Sequence, residues 1–153
     1  MLTLCYLAIK YGSTLYNTGG GTQGDYISTT GSIVWDASVG ASYHNDVIGI
    51  GRDDTQGLLQ KQSHSFDDVT RVYLDSLKTS NSANSGSFTS NVSYLMIGSN
   101  NGSMCSSAAA NNEVPAGFGL TERLTREWKV QNTNCSDTIN FDLTTSNCAS
   151  FNN

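Results

Sequence analysis

The chain has few charges, a single proline, no C-x-x-C pair and no long apolar run, and each shortage narrows what it can be. Charged residues make up 14% of the 153, and the net charge is −5. With an isoelectric point near 4.7, no basic face is expected for phosphate backbones or anionic lipid, which sets nucleic acid aside as a partner. No apolar run approaches the roughly twenty residues needed to cross a bilayer, so membrane insertion is not expected. The opening MLTLCYLAIKYG lacks a basic n-region, closes its apolar run with Lys10 and is followed by no small-residue cleavage pattern. It does not read as a signal peptide, and the chain is expected to be a mature or excised piece.

What is present is glycine and small polar residues. Fifteen glycines, one proline (Pro115) and long Ser/Thr/Asn tracts between short apolar alternations point to many short strands joined by turns, the composition of a secreted all-β domain. One domain with one substantial core suits this length.

Cys5, Cys105, Cys135 and Cys148 are even in number without zinc-knuckle spacing, which allows two disulfides, in one of three pairings. Cys135 with Cys148 is preferred, because the short loop it closes would constrain the unfolded chain by about 3 kcal/mol. Cys5 and Cys105 are then left to each other or to a neighbouring chain; four buried free thiols are the alternative. Asn91, Asn101 and Asn134 head glycan sequons that matter only in a glycosylating cell.

Along the chain, Leu4, Leu7, Ala8, Tyr11 and Leu15 fall at helical spacings, and the spacing predicts a short helix that stops near Gly12. Strands are expected in DYIS, GSIVWDA, DVIGIGR, LLQKQS, TRVYLDSL, VSYLMIGS, REWKVQ and DTINFDL. In the third of these, Gly49 and Gly51 would let another backbone or ring approach closely. Trp128 and Val130 are expected on one face, and Ile139, Phe141 and Leu143 inward. The tract KTSNSANSGSFTSN reads as a long surface loop or exposed edge. No repeat of twenty to fifty residues recurs. The expectation is an all-β sandwich, immunoglobulin-like or jelly-roll-like, over residues 16–153, led by a helical segment over 1–15.

Signals for catalysis are thin. No Gly-x-Ser-x-Gly elbow occurs, and His44 and His64 both sit in polar, turn-like contexts that predict surface-loop histidines. Disulfide bonding would consume the thiols as nucleophiles. The acids available to a glycosidase pair, Asp36, Asp46, Asp53, Asp54, Glu122 and Glu127, lack an aromatic-lined groove in the sequence. No cofactor is expected. Calcium is the one ion to weigh, with Asp46, Asp53 and Asp54 as ligands and Asp67 and Asp68 as further oxygens, although EF-hand spacing is absent. The Arg52-Asp53-Asp54 run is better explained as a hairpin corner pinned by ion pairs, with Arg52 bidentate to a carboxylate such as Asp54 or Glu127.

YLAIKYGSTL, GSIVWDAS, YHNDVIGIGRDDTQGLLQKQSHS, SYLMIGSNNG and RLTREWKVQ, in this order, resemble an uncharacterised domain of very large Gram-negative secreted, gliding-associated or adhesin-like surface proteins. There it usually follows a laminin-G-like, concanavalin A-like module. The resemblance implies a non-catalytic structural or adhesive module, extracellular or at the bacterial cell surface, with Arg52, Asp53 and Asp54 as its central signature and Trp35 and Trp128 as aromatic core positions. Neighbouring modules or identical subunits are the expected partners, with self-assembly into a surface fibre through Leu2, Leu4, Cys5 and Leu7. The alternative is a glycan-binding module stacking a sugar on Tyr26, Tyr43 or Tyr73. A small secreted hydrolase is the third reading.

Overall fold

The computed structural model describes residues 2–16, 21–107 and 123–144, and it is an all-β sandwich with one short N-terminal helix. The helix, α1 (Leu2–Tyr11), ends where the sequence places its stop. Gly12 takes a left-handed φ of +61° and Ser13 N–H reaches back to the Ala8 carbonyl at 2.9 Å, the six-to-one bond of a Schellman cap. A side chain at Gly12 is doubly disfavoured, since its Cβ would lie 2.7 Å from the His64 carbonyl oxygen. The helix buries Cys5, Ala8 and Ile9 and leaves Leu4, Leu7 and Tyr11 exposed. The expected apolar stripe is therefore mostly the outer one; the smaller residues Cys5, Ala8 and Gly12 let the helix sit close on the sheet.

Two short strands, β1 (Tyr26–Ile27) and β2 (Ile33–Trp35), form a hairpin beside α1. The long strand β3 (Asn45–Asp53) follows. Then β4 (Leu58–Gln60) and β5 (Gln62–His64) run almost continuously through Lys61, so one stretch of chain passes from one sheet to the other. β6 (Thr70–Leu74) and β7 (Ser93–Ser99) come next. β8 (Ser106–Ser107) pairs with β9 (Arg123–Leu124), and β10 (Trp128–Thr133) and β11 (Ile139–Leu143) complete the described chain. The main sheets are antiparallel, in the orders β10-β7-β3-β4 and β11-β6-β5.

The period-two alternation of β3 feeds two cores. Ile48 and Ile50 face the three-stranded sheet and pack with Val72, Leu74, Phe88 and Ile97. Val47 faces the other way, where Ala8 and Ile9 of α1, Tyr26, Val34 and Trp35 of the hairpin, and Tyr94 and Met96 of β7 meet. Burying each such aliphatic side chain is worth roughly 1.5–3 kcal/mol. The glycines of β3 and β7 make room on that second face. A Cβ at Gly49 would lie 2.2 Å from Met96 Sδ, one at Gly51 2.6 Å from the Tyr94 ring, and one at Gly98 2.9 Å from the Trp35 ring. The close approach expected at Gly49 and Gly51 is realised by side chains of the neighbouring strand.

Several expectations need correction. The polar tract after β6 is a surface loop, as expected, but it is anchored: Asn84 is buried and donates to the Leu74 carbonyl at 2.8 Å while its Oδ1 accepts from Gly86 N–H at 2.8 Å. Phe88 from the same tract enters the core between the sheets. Val130, Phe141 and Leu143 are substantially exposed, because β10 and β11 lie at sheet edges where the opposite layer no longer covers them. Ile139 alone of its trio packs against the core. Cys5 and Cys135 are free thiols, so neither the Cys135–Cys148 nor the Cys5–Cys105 bridge forms. Cys105 is disulfide-bonded; Cys148 lies outside the described residues, as do Pro115 and Glu122. Cys5 is held in place by packing and by two weak bonds, donating to the Asp25 carbonyl at 3.7 Å and accepting from Ile27 N–H at 3.4 Å.

Candidate functional site

Arg52, Asp53 and Asp54 divide between surface and interior, as alternation along a strand requires. Arg52 grips Asp54 through Nε and Nη2, both at 2.8 Å, and donates through Nη1 to the Phe88 carbonyl at 3.2 Å. This is the pinned corner expected from the sequence, with Asp54 and not Glu127 as the partner; Glu127 meets Arg123 at 3.3 Å and accepts from Tyr43 at 3.1 Å. The paired charges hold Asp54 below and Arg52 above their ordinary pKa ranges. Asp53 points inward and is fully buried. Its carboxylate accepts from Thr29 N–H at 3.0 Å, Thr29 Oγ1 at 2.7 and 2.8 Å, Tyr94 Oη at 2.7 Å and Gln56 Nε2 at 3.3 Å. Burial opposes its charge, but the Thr29 and Tyr94 hydrogen bonds prevail and keep its pKa below the usual range. Asp53 is thus the bolt between β3, β7 and the hairpin turn.

Trp35 is wholly buried. Trp128 is half-buried against the core between the sheets and donates Nε1–H to Thr70 Oγ1 at 2.9 Å. His44, expected on the surface, is fully buried: Trp35 Nε1–H donates to its Nδ1 at 3.0 Å, and its Nε2 lies 2.8 Å from the Leu15 carbonyl. The indole partner explains the error, since it replaces the water a turn histidine would need. Tyr26 is also buried, with its hydroxyl accepting from Leu15 N–H and donating to the Ser13 carbonyl, both at 2.9 Å, so it is no sugar platform. Tyr43 and Tyr73 are tied to Glu127 and Asp142.

The proposed calcium ligands do not converge. Asp46 and Asp53 stand seven residues apart on one extended strand, roughly 23 Å, and Asp53 and Asp54 are saturated by the partners above. Among the described residues no group of three or more His, Cys, Asp or Glu side chains is placed to hold a metal. Asp36 closes a local turn by accepting from Ser38 and Val39.

Asp46 has a different setting. In the ladder with β7, Asn45 pairs with Ser99 and Ile48 with Ile97, so Asp46 and Val47 together oppose Gly98 in a β-bulge. Asp46 takes a left-handed φ of +49°, a conformation that costs a non-glycine residue about 1 kcal/mol or more. The bulge turns its carboxylate out of the ladder into a cleft of about 720 Å³ lined by Tyr11, Tyr16, Asn45, His64, Phe66 and Asn101, with Ser13 and Thr14 at the end of α1. Asn101 of the lining is held by Arg126, which donates to its Oδ1 at 3.3 Å, to the Gly102 carbonyl at 2.8 Å and to Asp67. Arg126 stands 4.0 Å from Asp46, beyond hydrogen-bond range. Asp67 is held below the carboxylate range, its burial outweighed by hydrogen bonds from Ser65 and Arg126. Asp46 is pushed above it by burial and by the Asp67 charge, which Arg126 only partly offsets.

The rim is aromatic. Phe66 is 92% exposed, Tyr11 69% and Tyr16 48%; the Tyr16 ring meets His44 edge-on, centroids 5.5 Å apart. His64 at the rim bonds through Nδ1 to the Ser65 carbonyl at 3.0 Å, with the Asp68 carboxylate 4.0 Å from the same nitrogen. Tyr11, Tyr16 and Phe66 are scattered in sequence, and only Tyr11 carries a pattern signal, its helical spacing, which argues for core. Of the assembly candidates, Cys5 is buried, Leu4 and Leu7 are 52% and 39% exposed, and the Leu2 side chain lies outside the description.

Fold and site together define an antiparallel sandwich module with an open, aromatic-rimmed cleft beside its helix. Residues 4–152 match the family model of the domain of unknown function DUF8202, and the chain belongs to that family. Neither a curated protein nor a solved structure gives a significant match.

Proposed function

We propose that this chain is a non-catalytic adhesive module of an extracellular bacterial surface protein and that it holds its ligand in the cleft between the end of α1 and the bulge of β3. The observation that carries this reading is the exposure of Tyr11, Tyr16 and Phe66 around a half-buried carboxylate in a preformed cavity, the usual composition of a binding mouth. Two further features favour binding over turnover. His44 is committed to Trp35 and Leu15, and His64 makes no hydrogen bond to a hydroxyl or thiol among the described residues, so neither imidazole activates a nucleophile. The resemblance to secreted adhesin-like proteins supplies the cellular setting.

Beads coated with the chain are expected to adhere to intact bacterial cells under flow, and beads coated with Phe66→Ala are not. Equal adhesion of the two, or none by either, rejects the cleft as the adhesive mouth.

A second reading, docking to an identical copy as in a surface fibre, is favoured by Leu4 and Leu7, which stay exposed on a helix whose opposite face is buried. Light scattering of the chain over a range of concentrations tests it.

A further inference from the structure

The cleft pairs exposed rings with unused hydrogen-bonding capacity. Asp46 has a side chain only 21% exposed and accepts no hydrogen bond from any described residue; the nearest cation, the Arg126 guanidinium, stands at 4.0 Å and is itself bonded to Asp67. A carboxylate in that position lacks the donors that a half-buried acceptor requires. Beside it, Asn101 uses Oδ1 to accept from Arg126 and keeps its amide N–H groups, while Asn45 donates Nδ2 to the Ser99 carbonyl and keeps its Oδ1. The floor therefore offers both acceptors and donors in a cleft that Tyr11, Tyr16 and Phe66 also line, with Phe66 almost fully exposed and Lys10 Nζ 5.8 Å from the Tyr11 ring centroid.

We propose that the cleft binds a neutral pyranose sugar of a glycan, with the C–H faces of the ring against Phe66 and Tyr11 and adjacent hydroxyls donating to Asp46. The inference rests on the reading of the cleft as the adhesive mouth and names its ligand. Sugar hydroxyls donate and accept, which suits the mixed floor, and two neighbouring hydroxyls supply the pair of donors that Asp46 needs. The apolar face of a pyranose covers an aromatic ring without asking it for a hydrogen bond. An acidic sugar would meet the Asp46 carboxylate in a chain of net charge −5, and is disfavoured by like-charge repulsion.

An extended peptide fits less well. Peptides gain affinity by extending an open sheet edge, and the edge strand nearest the cleft, β5, is overlaid at His64 by Gly12, with room for no Cβ between them.

The test is an array of neutral and acidic glycans probed with the chain, followed by titration of the best neutral oligosaccharide into the isotopically labelled chain with amide shifts read by NMR. Binding of neutral pyranose glycans is expected, with shifts at Gly12, Asp46 and Asn101. Phe66→Ala and Tyr11→Ala should each weaken binding about three- to tenfold, and Asp46→Asn about tenfold or more. Phe66→Ala removes a side chain that is 92% exposed, so its loss reports on the ligand and not on folding. The proposal is overturned if no neutral glycan binds, if only acidic glycans bind, if the shifts map elsewhere, or if the variants bind as the parent does. Cell adhesion that depends on Phe66 but is unaffected by excess oligosaccharide would overturn the sugar while leaving the adhesive reading standing.

Discussion

Trp35 and His44 share one proton arrangement: the indole N–H of Trp35 donates to His44 Nδ1 at 3.0 Å, so Nδ1 must be the acceptor and Nε2 must carry the hydrogen that meets the Leu15 carbonyl at 2.8 Å. An indole cannot accept. Burial pushes the His44 pKa below its ordinary value, more than the Leu15 bond raises it. Neutral His44 therefore favours the fold above the unfolded pKa of about 6.5, and that stability is lost as pH falls through the lower folded value. Trp35 fluorescence and thermal unfolding followed from pH 7.5 to 5 should show stability falling on the acid side. His44→Ala, which strands the indole N–H and the Leu15 carbonyl, should cost about 2–4 kcal/mol in urea unfolding.

Asp53 should behave as a structural acid. Its pKa is depressed by the Thr29 and Tyr94 hydrogen bonds despite burial, so its contribution is present above about pH 3.9 and disappears as pH falls through the lower folded value. Asp53→Ala leaves Tyr94 and Thr29 without an acceptor and is expected to destabilise the chain by about 3 kcal/mol or more at pH 7. Denaturant titrations of the variant at pH 7 and at pH 3 should show the penalty shrinking in acid.

Asp46 should do the reverse. Its pKa is raised by burial and by Asp67, so its ionised form works against the fold, and its contribution, full below the unfolded pKa, is lost as pH rises through the folded one. Asp46→Asn is expected to melt at a higher temperature than the parent at pH 7, with the difference vanishing as pH falls below the carboxylate range. Stability gained together with binding lost is the mark of a residue kept for its ligand.

Gly98 tolerates no side chain. A Cβ there would lie 2.2 Å from the Tyr43 carbonyl oxygen and 2.9 Å from the Trp35 ring, so Gly98→Ala should destabilise by about 1–3 kcal/mol. Leu4→Lys together with Leu7→Lys, on the outer side of α1, should leave the unfolding free energy within about 0.5 kcal/mol. If copies dock through that face, the pair should also abolish concentration-dependent association in light scattering.

How much was legible follows from what each residue's signal depends on. The strands of β3, β6, β7 and β10 were readable because alternation and bounding turns are local, and the Arg52–Asp54 pair because two residues' separation on a strand brings both to one side. The inner face of α1 is not legible, because Leu4, Leu7 and Tyr11 outweigh Cys5, Ala8 and Ile9 in apolarity, whereas close packing on a sheet favours the smaller set. His44 was misplaced because its indole partner lies nine residues away, on β2. The cleft was invisible for the same reason. Tyr11, Phe66 and Asp46 become neighbours only through a bulge, a helix cap and the return of β5, and no local pattern encodes a bulge.

β3 contributes Val47 to one hydrophobic cluster and Ile48 and Ile50 to the other, which ties the cleft to both cores. A strand shared by both clusters couples their opening, and the amides of Ile48 and Ile50 are expected to exchange with solvent deuterium only through whole-molecule unfolding. Asp46 lies two residues from that slowest region, so a ligand there meets a surface that is already set before it arrives and gives up little chain entropy on capture.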